Sequence, residues 1–200
     1  IKKREEISSF IVDESKKTKS EKKSKKVSII STFHKGEKYL KRFLENITSL
    51  DMFGECELIL IDSASPGNEK EIVFQYIEKH NNIIYRRFDE KFGPTRGHNL
   101  ALMHSSCKYI SWAMIDDIKE KDYLKTLYDA LEINLDVDLV YGDCHVLDAE
   151  GLLVPGKLLE NSQNSFSREN MVKCLPGPMP MWRRNIHEEC GFFDDEKHDY

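Results

Sequence analysis

From residue 26 to residue 143 the chain alternates between short apolar or β-branched runs and charged stretches that carry one apolar stripe. The runs "KVSIIST" (26–32), "ELILID" (57–62), "NIIYRRF" (82–88), "KYISWAMI" (108–115) and "VDLVYGD" (137–143) read as strands. Between them, "GEKYLKRFLENITSL" (36–50) sets Leu40, Phe43, Leu44, Ile47 and Leu50 at helical spacing. "NEKEIVFQYIEKH" (68–80) repeats that pattern through Ile72, Val73, Tyr76 and Ile77, and "PTRGHNLALMHSS" (94–106) and "KDYLKTLYDALEI" (121–133) also suit helices. Strands joined through amphipathic helices form a parallel sheet with both faces covered. The expected fold class is therefore α/β: a Rossmann-like, mostly parallel sheet with helices on both faces. The last sixty residues are rich in Pro, Gly and turn signals and are expected to build a site rather than a layer.

In open α/β sheets ligands bind at the carboxyl ends of the strands, and the unusual polar residues fall there. The first strand ends in Ser31, Thr32 and Phe33, and the second in Asp62 and Ser63. Gly93, His98 and Asn99 follow the third, and Asp116 and Asp117 close the fourth. Ionised carboxylates at the tip of an apolar run need a partner. A divalent cation, which seeks hard oxygen ligands, fits the pair; a solvated helix cap is the bland alternative. Asp62 and Ser63 have their own bland reading, as turn chemistry. No GxGxxG follows the first strand and no GxxxxGK[ST] occurs. Phosphates would thus be held through the metal, not by a glycine-rich loop.

Composition removes several classes. A net charge of −5 gives no general attraction to nucleic acid. No apolar run approaches the roughly 20 residues of a membrane span, and no secretory signal heads the sequence. Cys56, Cys107, Cys144, Cys174 and Cys190 are scattered, with no CxxC pair, which reads as reduced thiols in a cytoplasmic setting. "SKKTKSEKKSKK" (15–26) reads as a solvated linker, with a patch for an anionic membrane surface as the sharper alternative. The expected organisation is an upstream element and Lys-rich linker over 1–25, then one domain over 26–200. Opening on Ile1 and stopping at Tyr200 in a charged segment suggests a fragment, truncated at the C-terminus of that domain.

The segments "VSIISTFHKGEKYLKRFLENI", "LILIDSASPGN", "FGPTRGHNLAL", "KYISWAMIDDI", "DLVYGD" and "MWRRNIHEECGFFDDEKHDY", in this order, resemble the family-two, GT-A type inverting glycosyltransferases. The resemblance implies a GT-A fold and transfer of a sugar, with inversion, from a nucleoside-diphosphate sugar to an acceptor hydroxyl. A UDP-sugar is the favoured donor, and the acceptor is a glycan, a lipid-linked molecule or a protein. Ser31, Thr32, Phe33 and Asp62 would hold the nucleoside, with Ser63, Gly93, His98, Asn99 and Asp116 completing the nucleotide-sugar set. Asp116 and Asp117 would hold the Mn²⁺ or Mg²⁺ that bridges the diphosphate, and Asp199, followed by Tyr200, stands where the family carries its catalytic base. Asp194 and Asp195 fall in the preceding turn and are expected to be structural.

Two positions depart from the family pattern. Met114 stands where the first aspartate of D-x-D-D is usual, and His98 where a basic residue commonly precedes the asparagine. The stretch from Gly151 to Arg184 would shape the acceptor site, with Trp182 either a platform for a sugar ring or a core residue. Two rivals differ in class. A non-catalytic glycosyltransferase-like binding module is one. The other, a nucleotidyltransferase, would normally show a Gly-rich basic loop where "TFHKGEKYL" has a single glycine.

Overall fold

The computed structural model describes residues 25–148, 150–159, 167, 177 and 180–195. Asp199, Tyr200, Cys174, all but the last two residues of the Lys-rich stretch and much of the region from 160 to 179 lie outside the described residues.

A six-stranded sheet runs in the order β3 (Ile83–Phe88), β2 (Cys56–Ser63), β1 (Val27–Phe33), β4 (Tyr109–Trp112), β8 (Pro180–Arg183), β5 (Leu139–Tyr141). Strands β1 and β2 lie in its interior, and every residue of both is buried. That is the expected signature of parallel strands covered on both faces. β3 (Ile83–Phe88) pairs parallel to β2, and β4 (Tyr109–Trp112) pairs parallel to β1. Side chains alternate across each strand, and two cores result. One face packs Ile29, Leu58, Leu60 and Tyr109 under α1 (Glu37–Thr48), α2 (Glu69–Ile77) and α4 (Tyr123–Ile133). The other packs Ile30, Ile59, Ile61 and Ile110 under Leu100, Ala101 and Leu102 of α3 (Pro94–His104). The stripe Leu40, Phe43, Leu44 and Ile47 is the buried side of α1, as its spacing requires.

Two expectations are corrected and one open alternative is settled. First, the region after 143 does contribute to the layer. β8 (Pro180–Arg183) inserts between β4 and β5 (Leu139–Tyr141), antiparallel to both. Met181 faces one core and Trp182 the other, and the Arg183 guanidinium locks the strand in place. It donates to the carbonyls of Val137 (2.8 Å), Leu131 (2.7 Å) and Asn134 (3.0 Å) and to the Tyr109 hydroxyl (3.0 Å).

Second, Trp182 is core. It is 5% exposed, meets Trp112 edge-on at 5.7 Å, and donates from Nε1 to His187 Nε2 of α5 (Ile186–Cys190) at 2.9 Å. It is thereby unavailable as a sugar platform. Third, the fourth strand stops at Trp112 rather than at residue 115. The Ala113 N–H still reaches the Ile30 carbonyl, and then Met114–Asp117 turn, closed by the Asp117 N–H on the Met114 carbonyl at 3.2 Å. A separate hairpin, β6 (Cys144–Leu147) with β7 (Leu153–Leu159), was not foreseen.

Candidate functional site

The carboxyl ends of β2, β1 and β4 lie side by side, and there the backbone takes unusual turns. Lys35, after β1, and Ala64, after β2, have φ of 57° and 53°. Non-glycine residues rarely occupy that left-handed region, which costs on the order of 1 kcal/mol or more and persists only where the surroundings hold it. Here they do. His34 Nδ1 donates to the Ser63 carbonyl at 2.7 Å, and the Lys35 N–H reaches Ser65 Oγ at 3.2 Å.

Asp62 lies in the middle of this knot with no exposed surface. Its Oδ1 accepts the Ser65 N–H at 2.8 Å, and its Oδ2 accepts the Tyr85 hydroxyl at 2.6 Å and the Arg87 guanidinium at 2.9 Å. Burial first, and the bond to Asp62 second, push the Tyr85 phenol well up, so it stays a donor. Ser63 holds the next loop, donating to the Phe92 carbonyl (2.8 Å) and accepting the Phe92 N–H (2.7 Å). That loop leads to Gly93, the buried N-cap of α3, with Pro94 at the first helical position. One turn on, Gly97 lets α3 rest directly on β1: an added Cβ would stand 2.7 Å from Thr32 Cβ and closer still to Thr32 Oγ1. Ser31, Thr32 and Phe33 are all buried, and Ser31 Oγ has no hydrogen-bond partner among the described residues.

On α3, His98 is 7% exposed, and burial lowers its pKa to about 4. It is neutral near pH 7 and offers a ring nitrogen rather than a charge. The ring lies against Trp112 with centroids 5.1 Å apart, and neither His98 Nε2 nor Trp112 Nε1 has a partner among the described residues. Asn99 is committed elsewhere. Its amide donates to the Phe193 carbonyl (2.9 Å) and accepts the Phe193 N–H (3.0 Å), clamping the segment beyond α5.

The turn after β4 places its two aspartates differently. Asp116 is exposed, and its backbone carbonyl is held by Arg42 of α1 at 3.2 Å. The same guanidinium abuts Gly151, in the β6–β7 turn. Asp117 is ion-paired at 3.2 Å with Lys119, whose side chain is fully buried. Burial lowers the Lys119 pKa, and Asp117 opposes that shift. Ile115 anchors the turn, its Cδ1 lying 2.6 Å from where a Cβ on Gly36 would stand.

A divalent metal fits this donor set in one way only. Among the described residues no three His, Cys, Asp or Glu side chains converge on a common point. One free carboxylate at the edge suits an ion such as Mg²⁺ or Mn²⁺ that keeps waters and takes its other ligands from a substrate's phosphates. Asp116 meets that need, while Asp117 is already paired. A cavity of about 320 Å³ lined by Leu102, Met103, Arg184, His187, Glu188 and Phe192 opens at the far end of α3; Arg184, the last residue of the stretch expected to shape the acceptor site, lines it, and no residue expected to hold the nucleotide or the metal does.

Sequence reasoning missed Tyr85, Arg87, Arg42 and Lys119. For Arg87 a signal existed: two arginines interrupt an apolar strand, and Arg87 stands opposite Asp62 in register. Lys119 gave none, since "DDIKEKD" looks like any solvated charged run.

A family model described as "Glycosyl transferase family 2" matches residues 28–191. An uncharacterized glycosyltransferase of Methanocaldococcus jannaschii is 27% identical over 123 residues, which are 62% of this chain and 42% of that protein. Among solved structures, Staphylococcus aureus TarS 1–349 in complex with UDP-GlcNAc superposes with a TM-score of 0.68 at 20% identity, covering 86% of this chain and 49% of that one. The mannosyltransferase PcManGT of Pyrobaculum calidifontis, in complex with GDP-Man and Mn²⁺, gives a TM-score of 0.62 at 18% identity, covering 86% and 48%. The two superpositions establish a shared GT-A-like fold. The chain spans about half or less of the length of each of these three proteins.

Proposed function

This chain belongs to glycosyl transferase family 2, and we propose on that footing that it moves a sugar from a nucleoside-diphosphate sugar to an acceptor hydroxyl with inversion. The observation that carries the reading is the exposed Asp116 carboxylate, set at the carboxyl edge beside the ends of β1 and β2. Ser31, Thr32, Phe33, Asp62 and Ser63 would enclose the nucleoside, and Gly93, His98 and Asn99 would flank it from the start of α3. A Mn²⁺ or Mg²⁺ on Asp116, when bound, supplies Lewis-acid stabilisation of the departing diphosphate. Asp199, outside the described residues, would take the proton of the acceptor hydroxyl as that oxygen attacks the anomeric carbon from the opposite side. A UDP-sugar is the donor we favour, on the likeness to TarS bound to UDP-GlcNAc. The fold shared with a GDP-mannose enzyme makes GDP the comparison to run.

No helix among the described residues is long and apolar enough to cross a membrane. Burial pushes the Cys56 thiol up to about 12 and the Cys107 thiol up to about 11. Such thiols stay protonated and inert; the cytoplasmic setting we favour rests on the scattered cysteines of the sequence.

Calorimetric titration of UDP and of GDP, each with and without Mn²⁺, tests the proposal. Metal-dependent UDP binding is expected, lost in Asp116→Asn at an unchanged melting temperature, because that side chain is exposed. If neither nucleotide binds, or if the variant binds as the unaltered chain does, the proposal fails. Tight donor binding with no transfer to any acceptor would return the non-catalytic module.

A further inference from the structure

The aspartate turn contains a cation of its own. Lysine almost never buries fully unless paired, yet the Lys119 side chain is 0% exposed. Its backbone is fixed first. Asn46 of α1 accepts the Lys119 N–H at 2.7 Å through Oδ1, and its Nδ2 donates to the Lys119 carbonyl at 2.8 Å. From that anchor the stem runs inward and sets the ammonium 3.2 Å from Asp117 Oδ2 and 5.4 Å from the centre of the Tyr123 ring. The ring is itself held, its hydroxyl bonding Ser111 Oγ and the Trp112 carbonyl at the end of β4. An exposed ion pair wanders among rotamers and contributes little. This one has a clamped backbone on one side and an aromatic wall on the other.

We propose that Lys119 is a positioning residue and the resident counter-cation of the Asp116–Asp117 turn. It keeps Asp117 from an incoming divalent ion and leaves Asp116 as the single protein anchor. The turn then carries one net negative charge instead of two. A metal ion arriving alone meets one carboxylate and stays in water, whereas a metal ion that arrives with a diphosphate brings the missing oxygen ligands with it. This coupling of metal to nucleotide rests on the function proposed above; the claim about Lys119 and Asp117 does not.

Mn²⁺ binding to the folded chain, measured by electron paramagnetic resonance without nucleotide, separates the two. The unaltered chain is expected to bind Mn²⁺ weakly. Lys119→Met should bind it roughly tenfold or more tightly, because a unit positive charge a few ångströms away is gone and Asp117 is released. Adding Asp117→Asn to that variant should return the affinity to its starting value. An affinity unchanged in Lys119→Met, or a gain that survives Asp117→Asn, overturns the proposal. If the methionine variant does not fold, Lys119→Gln carries the same expectation and the same refutation. A parallel titration with UDP present reports on the proposed function alone: if UDP never binds, that reading fails, while the nucleotide-free comparison still decides the role of Lys119.

Discussion

Asp62→Ala is the substitution whose outcome the structure fixes most closely. The wild-type carboxylate is fully buried and takes three donors: the Ser65 N–H, the Tyr85 hydroxyl and the Arg87 guanidinium. Alanine removes the acceptor that all three share. Breaking a buried charge pair by removing one partner costs about 3–5 kcal/mol. The Arg87 side chain is 35% exposed and can turn to water, so its share falls toward the lower end. The Ser65 N–H lies in a buried residue and has no such escape, which adds about 1–3 kcal/mol. These losses overlap, and a total of about 3–5 kcal/mol is expected.

For a domain of this size each kcal/mol lowers the melting temperature by roughly 2–4 °C. Urea unfolding followed by circular dichroism measures the loss, and calorimetric titration of UDP with Mn²⁺ measures the ligand side. Tyr85→Phe, which removes one donor, should cost about 1 kcal/mol in the same assay. An Asp62→Ala midpoint equal to the wild-type one, with UDP affinity lost, would refute the reasoning. The carboxylate would then serve the ligand alone, and the network would contribute nothing to the fold.

Two further outcomes follow from buried contacts. Gly97→Ala should destabilise the chain by about 1–3 kcal/mol in urea, since overpacking against Thr32 outweighs the helix propensity that alanine adds; a stabilised variant would mean that α3 can lift from β1 at little cost. His98 has an ordinary value of 6.5 in the unfolded chain and about 4 when folded. Below pH 6.5 the unfolded state therefore binds a proton that the folded state refuses. Its contribution is complete above pH 6.5 and is lost as the pH falls toward 4, by about 3 kcal/mol at most. The unfolding free energy of His98→Phe should fall less steeply over that window than that of the unaltered chain, and parallel curves would contradict the assignment.

The parallel half of the sheet was legible because its signals are local and redundant. β1 and β2 are buried on both faces and so read as unbroken apolar runs, and the stripe of α1 announces which side it buries. β8 has no such signal. Four residues in a Pro- and Gly-rich region become a strand because Arg183 collects acceptors from residues 109, 131, 134 and 137, contacts separated by up to 74 positions. The early end of β4 is tertiary too: "AMI" could extend a strand, but Ile115 turns away to pack on Gly36. The hairpin β6–β7 was readable and was missed. Asp148 Oδ1 accepts the Glu150 and Leu152 N–H groups at 3.0 and 2.8 Å, and Gly151 takes φ of 82°, the usual chemistry of an Asp-and-Gly turn.

At the site, sequence identified the edge and the residue types but not which charges are already neutralised within the fold. Asp62, Asp116 and Asp117 look equivalent in the sequence, each following an apolar run. Strand register sets Arg87 opposite Asp62, a pairing fixed only once β2 and β3 are aligned. Lys119 meets Asp117 at a separation of two residues, which a helix would not bring face to face. The contact exists because the chain leaves the sheet at Trp112 and Asn46 catches the loop four residues before α4 begins. Of the three aspartates that the sequence sets at this edge, Asp62 and Asp117 meet cations of the fold and Asp116 faces solvent. Of those three aspartates, an incoming nucleotide diphosphate and its metal would therefore find only Asp116 open, which is why Asp116 is where the proposed chemistry is most exposed to test.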